Sequence, residues 1–541
     1  MRELAIEKPY LHLPVKNGAP PRVMRFVVAG REVKEFTIEL ADAEPDFWVF
    51  ADVSAFRGQE LQVHVDELPG GSQGVASIKQ ADDVPGADGL YQEKHRPQFH
   101  FSSRRGWNND PNGLVYYQGT YQLFYQHNPY GWNWGNMHWG HAASSDLVHW
   151  TELPDALSPD ELGMMFSGSA VVDWHNTAGF QRGSEKPIVV FYTAAGGENP
   201  ASQGRPFTQC IAFSTDGGQT FAKYAGNPVI PHLEGANRDP KVIWHEPTGS
   251  WVMALYLGER DEAHYHALFA SSDLRAWTKL SEVVMSEGGG ECPDLFELPV
   301  DGDHANRKWV FSQASGHYGI GSFDGETFTL EVGPLRWQGS ESVAYAAQTF
   351  SDVLPEDGRR IQIAWLTQEL PGMPFNQMMT FPVELTLRTT GEGPRLFVNP
   401  VKEIELLHDK RHAWENETLA GDTNLLAGLS GDLFHLRAEL EIGDAQEVGF
   451  VMRGVPVLYH AAEQEVTCGH AFGALRPVEG KICLEVLADR ASVELFGNGG
   501  ETYLIAGMIP PDDNTSLELV GKGGTATVKS LEVYELCSAW R

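Results

Sequence analysis

The phrase Ser144-Ser145-Asp146-Leu147-Val148-His149-Trp150 returns as Ser214-Thr215-Asp216-Gly217-Gly218-Gln219-Thr220-Phe221, as Ser271-Ser272-Asp273-Leu274-Arg275-Ala276-Trp277 and as Ser322-Phe323-Asp324-Gly325-Glu326-Thr327-Phe328. Each copy runs Ser, Asp, aromatic, and each follows a short strand-like run such as Ile211-Ala212-Phe213. One Ser-x-Asp-Gly is an ordinary turn. Four in register, about 50 to 70 residues apart, are the trace of radially repeated four-stranded blades, because each blade can bury its faces only against its neighbours. Residues 96–395 have room for five such blades, which predicts an all-β chain built round a five-bladed β-propeller.

Outward from that region the pattern changes on both sides. Before it, Val23-Met24-Arg25-Phe26-Val27-Val28 and Leu61-Gln62-Val63-His64-Val65 alternate with period two, as in a small antiparallel sandwich. Gly70-Gly71-Ser72 and Ala81-Asp82-Asp83-Val84-Pro85-Gly86 read as a linker, so residues 1–90 form a small β-sandwich-like accessory domain with its linker. After it, Leu433–Leu440, Ile482–Val486 and Ser492–Phe496 alternate again and predict a C-terminal β-sandwich over 400–541. Only Val401–Leu407 suggests a helix.

A chain of 541 residues with 42% hydrophobic content, 15 Trp and 27 Phe has ample apolar surface for several cores. Its formal charge of -33 excludes nucleic acid and anionic membrane as partners, since those need basic patches. A neutral ligand such as a sugar is compatible with it. Five cysteines without CxxC spacing fit neither a zinc site nor a disulfide framework and read as free thiols. With no apolar h-region near Met1, they favour a cytoplasmic setting, and a secreted or periplasmic one if a leader has been removed.

Three carboxylates stand in distinctive company: Asp110 in Trp107-Asn108-Asn109-Asp110-Pro111-Asn112-Gly113, Asp239 in Arg238-Asp239-Pro240, and Glu291 in Glu291-Cys292-Pro293 after Gly288-Gly289-Gly290. Taken singly, Asp-Pro and Asn-Gly are turn formers, Arg-Asp is a surface ion pair and a Gly-rich run is a loop. Together they supply what glycosidic bond cleavage needs: one carboxylate to attack or stabilise the anomeric carbon and a protonated one to release the leaving group. Trp132-Asn133-Trp134-Gly135-Asn136-Met137-His138-Trp139 adds aromatic faces interleaved with amides, suited to a ligand with apolar C–H faces and many hydroxyls. The histidines do not form ligand spacing, so neither a metal nor another cofactor is called for.

With these three motifs in order, the chain resembles glycoside hydrolase family 32, the β-fructosidases that include invertases, inulinases and levanases. Leu487-Ala488-Asp489-Arg490-Ala491-Ser492-Val493-Glu494-Leu495-Phe496 resembles a motif of that family's C-terminal sandwich, and the first 90 or so residues resemble an accessory domain of some bacterial members. The resemblance implies a retaining exo-β-fructosidase with a fructose-containing oligo- or polysaccharide as substrate. It makes Asp110 the nucleophile, Glu291 the acid and Asp239 the transition-state stabiliser with Arg238 beside it. Asn109, Gln126, Trp134, Phe166 and Ser167 match positions that line the fructose pocket. Hydrogen bonds from the backbone or Asn109 are expected to hold the Asp110 pKa low. Ser342-Val343-Ala344-Tyr345-Ala346-Ala347-Gln348 and Pro371–Met379 depart from the family pattern, which places the differences on the leaving-group side. A fructosyltransferase would use the same carboxylates, whereas a non-catalytic fructan-binding protein would have lost one, and none is lost.

Overall fold

The recurring phrase is the hairpin between the third and fourth strands of a blade. In the computed structural model, which describes residues 1–421, 423–511 and 514–540, Asp146 Oδ1 accepts the backbone N–H groups of Val148 and His149. Asp273 Oδ1 takes those of Arg275 and Ala276, Asp324 Oδ1 those of Glu326 and Thr327, and Asp216 that of Thr220. A carboxylate that bonds the backbone a few residues on closes the turn without help from a neighbouring strand. Trp150 and Trp277 then donate their indole N–H to the carbonyls of Leu147 and Leu274, at 3.0 and 3.2 Å.

Four antiparallel blades carry this hairpin. The first comprises Gly106–Tyr117, Thr120–Asn128, His138–Ser144 and Thr151–Leu157; the second Met164–Val172, Ile188–Ala195, Thr208–Ser214 and Ala222–Lys223. The third comprises Arg238–His245, Ser250–Arg260, Ala263–Ser271 and Thr278–Met285; the fourth Asp294–Val300, Asp303–Ser312, His317–Phe323 and Phe328–Arg336. A fifth blade, Ala344–Thr349, Arg360–Leu366, Val383–Thr390 and Gly393–Pro400, turns instead at Thr390-Gly391-Glu392-Gly393. That substitution of turn chemistry is why four copies of the phrase mark five blades. First strands touch in succession through blade four, and that of blade five touches that of blade one. Closure is made by Phe375–Asn376 pairing in parallel with Gly106–Trp107 and by Tyr116 N–H on Ser351 O.

The N-terminal sandwich packs a four-stranded sheet (Arg2–Ala5, Glu60–Val65, Arg22–Val28, Arg31–Ile38) on a three-stranded one (Phe47–Asp52, Tyr10–Val15, Lys79–Ala81). Strand Lys79–Ala81 falls in the stretch read as linker; its pairing with Tyr10–His12 is a tertiary choice that its polar sequence does not announce. The C-terminal sandwich has sheets of six and five strands round its own apolar core. Lys402–Leu407 is helical, as a 3₁₀ helix.

A buried imidazole adds to the backbone hydrogen bonds and shared apolar core that join propeller and C-terminal sandwich. His100 Nδ1 lies 2.8 Å from Asp489 Oδ2 and Nε2 lies 3.0 Å from Glu494 Oε1, with all three side chains fully buried. Asp489 also accepts the N–H groups of Gln98, Phe99 and His100, while Glu494 takes the N–H of Phe381 and the hydroxyl of Tyr503. Both carboxylates belong to the motif Asp489–Glu494 singled out above, so its acidic residues are a clasp between domains.

Candidate active site

Where the carboxylates stand, the first strands lose their regular ladder. Register shifts fall between Asn108 and Pro111, Phe166 and Gly168, Arg238 and Lys241, and Tyr345 and Gln348. In a regular strand consecutive side chains point to opposite faces, so Asn109 and Asp110 could not both reach one cavity; an inserted residue breaks that alternation. Proline lacks the N–H a ladder needs and is tolerated at such irregularities, which accounts for Pro111 after Asp110 and Pro240 after Asp239. Asp239 and Cys292 sit at φ 64° and 45°, backbone strain of about 1–3 kcal/mol each that persists where surrounding bonds over-determine it. Here Thr193 Oγ1 accepts Asp239 N–H at 3.0 Å, and Asp239 Oδ2 accepts Cys292 N–H at 3.1 Å. Gly168 is required by close approach: a Cβ there would lie 1.9 Å from Phe191 O.

These distortions gather Asn109, Asp110, Gln126, Trp134, Phe166, Ser167, Arg238, Asp239 and Glu291 round one cavity of about 220 Å³. A larger hollow of about 720 Å³ lies between the N-terminal sandwich, the linker and Arg104–Arg105, and it holds none of the three carboxylates. Tyr345 and Trp365 complete the lining. The first stands in a stretch noted only for departing from the family pattern. The second sits in Ile361-Gln362-Ile363-Ala364-Trp365-Leu366, an ordinary apolar strand with no sign of a site. Trp134 stands at the mouth, 48% exposed, with its ring edge-on to Phe166 at 5.9 Å between centroids.

Residues 100–400 match the family model described as Glycosyl hydrolases family 32 N-terminal domain, and 403–535 match Glycosyl hydrolases family 32 C terminal. The chain belongs to glycosyl hydrolase family 32. It is a glycoside hydrolase, a β-fructosidase. It is similar to a levanase of Bacillus subtilis (strain 168), 41% identical over 496 residues, covering 83% of this chain and 72% of that protein. An extracellular exo-inulinase of Aspergillus awamori is 32% identical over 524 residues, covering 83% and 96%. The crystal structure of exo-inulinase from that fungus superposes with a TM-score of 0.74 at 30% identity over 83% of this chain and all of that one. A β-fructofuranosidase of Schwanniomyces occidentalis, solved with fructosyl-erythritol, gives 0.73 at 26% identity, covering 82% and 98%.

In this family 32 enzyme the three carboxyls are held by different partners. Asp110 Oδ2 accepts the Ser167 hydroxyl at 2.5 Å, and Oδ1 accepts the Asn109 amide at 3.0 Å. Asn109 is itself aimed by Trp107, whose indole N–H reaches its Oδ1 at 2.8 Å. The Cys292 thiol bridges Asp110 and Asp239 at 3.6 and 3.7 Å. Glu291 accepts Arg238 Nη2 at 2.6 Å and Nε at 3.1 Å on one oxygen and the Tyr345 hydroxyl at 2.5 Å on the other. The guanidinium thus turns to Glu291 and stays 3.8 Å from Asp239, rather than serving chiefly beside Asp239 as the Arg-Asp-Pro order suggests. The open backbone at Gly289 makes room for the Tyr345 hydroxyl: a Cβ there would meet it at 2.8 Å.

Burial governs the protons. It pushes Asp110 above the ordinary carboxylate range; the Ser167 bond works against it, the charge of Glu291 adds to it, and Asn109 offsets only part. The expectation that Asn109 and backbone bonds hold Asp110 low is therefore corrected: desolvation of a carboxylate enclosed by protein outweighs them. Burial likewise pushes Asp239 up to about 7, against the lowering by Arg238 and with Glu291 and Asp110 adding to it. Removing the Ser167 hydroxyl takes away the strongest bond to ionised Asp110. Ser167→Ala should accordingly move the acid limb of the kcat/KM pH profile to higher pH, and a limb unmoved or shifted downward would contradict the role given to Ser167.

Proposed function

We propose that the protein is a retaining exo-β-fructosidase that releases terminal fructose from fructans of the inulin or levan type, from fructo-oligosaccharides and from sucrose. Asp110 attacks C2 of the terminal fructosyl unit while Glu291 passes its proton to the departing oxygen. The C2–O bond to the leaving sugar breaks as the bond to Asp110 Oδ forms. Water then takes the place of the leaving sugar: Glu291 receives its proton, hydroxide adds at C2, and Asp110 departs as carboxylate. Asp239, fixed by Thr193 and Cys292, bonds fructosyl hydroxyls and gains strength as the ring becomes oxocarbenium-like.

The observation that carries this reading is the convergence of Asp110, Asp239 and Glu291 on one small cavity. At about 220 Å³ it falls below the roughly 300 Å³ at which pockets begin to enclose drug-sized ligands, a size suited to one sugar ring and hence to a chain end. The relatives named levanase and exo-inulinase support a fructan substrate. Product analysis on inulin and levan tests it: fructose alone is expected, and a ladder of oligosaccharides would mean internal attack. New trisaccharide at high sucrose would mean transfer in place of hydrolysis.

A further inference from the structure

The N-terminal sandwich lies outside the residues that match the family models, yet it touches the loop that shapes the cavity mouth. That loop joins Thr120–Asn128 to His138–Ser144 and carries Trp134. Asn136 in the loop behaves as a short strand toward the sandwich: its Oδ1 accepts Thr37 N–H and Oγ1 at 2.8 and 3.0 Å, and its Nδ2 donates to Thr37 O at 2.8 Å. Tyr130 stacks on Phe36 at 3.8 Å between centroids and is buried in the sandwich's own core. From the other side Trp132 donates to Phe375 O at 3.1 Å and accepts from Asn376.

Trp134 lines two spaces: the catalytic cavity, and a second hollow of about 190 Å³ whose far wall is Pro21 and Thr37–Glu39, with Asn133 beside the indole. Both walls are held by the bonds above, so the hollow is formed before any ligand arrives. Its chemistry is that of a neutral polyol site. The indole and Pro21 are apolar, and Glu39 is a carboxylate. Gly18 N–H and the Asn133 amide engage Glu39 at 3.1 and 3.3 Å, two of about four acceptor positions such a group offers. A sugar presents C–H faces to the first set and hydroxyl donors to the second.

We propose that this hollow is a second sugar subsite, built half from the N-terminal sandwich, which holds a unit of a fructan chain beyond the fructosyl end in the catalytic cavity. The inference rests on the reading of that cavity given above. A chain that spans both spaces lies across the Trp134 ring, so the sandwich contributes to affinity for oligosaccharides and not for sucrose alone.

The test is the ratio of kcat/KM on a fructotetraose to kcat/KM on sucrose in the full chain. Glu39→Ala should lower that ratio about tenfold, the effect of losing a hydrogen bond to a charged group, through KM rather than kcat, and Glu39→Gln should restore most of it. Pro21→Trp, which fills the hollow from its exposed wall without removing a bond, should lower the ratio as well and serves if Glu39→Ala does not fold. A ratio equal to the wild type's in the folded variants would make the hollow a plain crevice between domains and overturn the proposal. Wild-type protein that releases no fructose from either substrate would instead overturn the reading of the catalytic cavity.

Discussion

Asp110→Asn should lower kcat on sucrose and on fructans by at least about four orders of magnitude, the scale seen when a covalent nucleophile is removed. The amide has nearly the carboxylate's shape. Its oxygen can still accept from Asn109, and the Ser167 hydroxyl can rotate to accept instead of donate. The lining of the cavity therefore survives, and fructose should still bind by calorimetry. The variant should also be no less stable than the wild type near neutral pH. Burial raises the Asp110 pKa, so ionised Asp110 opposes folding, and that cost grows as pH rises through the folded-state pKa; a neutral amide removes it. Activity within a hundredfold of wild type would assign the attack to another group, and a lowered melting temperature would contradict the account of Asp110 as a buried, disfavoured charge.

The blades were legible because their hairpins use local chemistry. Asp146, Asp216, Asp273 and Asp324 bond their own turns, so the signal survives in a short window of sequence. Blade five, which turns at Thr390-Gly391-Glu392-Gly393 without the Ser-Asp-aromatic phrase, is legible only as remaining space. The nine site residues carried signals of type and motif, and the structure brings all nine to one cavity. What makes them converge was not readable: a bulge changes which face a residue addresses by inserting one position in a ladder, and ladder partners such as Phe191 or Tyr256 stand far along the chain. Tyr345 and the turn of Arg238 toward Glu291 were hidden for the same reason. The direction of the Asp110 shift is not legible in the sequence, because hydrogen bonds show in neighbouring residues, whereas burial is a property of the whole fold.

His100→Ala should destabilise the protein by about 3 to 5 kcal/mol, the range for removing one partner of a buried ion pair, measured as the denaturant concentration at which sandwich and propeller come apart. A ring with a carboxylate on each nitrogen donates from both and is an imidazolium. Burial alone would push its pKa down; the hydrogen bonds it donates to Asp489 and Glu494, with their charges, outweigh that and raise it to about 9. Because this folded-state value lies above the ordinary 6.5, the stabilisation is complete below about pH 6.5 and is lost as pH rises through 9. A shift of that size corresponds to roughly 3 kcal/mol. Wild-type stability should thus decline between pH 7 and 9.5. In the alanine variant Asp489 and Glu494 face each other's charge with no cation between them, although Asp489 keeps its backbone donors at Gln98 and Phe99. Stability that is flat across that pH window, together with an alanine variant as stable as the wild type, would show that the clasp holds a neutral ring and that the domains are joined by their backbone hydrogen bonds and apolar contacts without it.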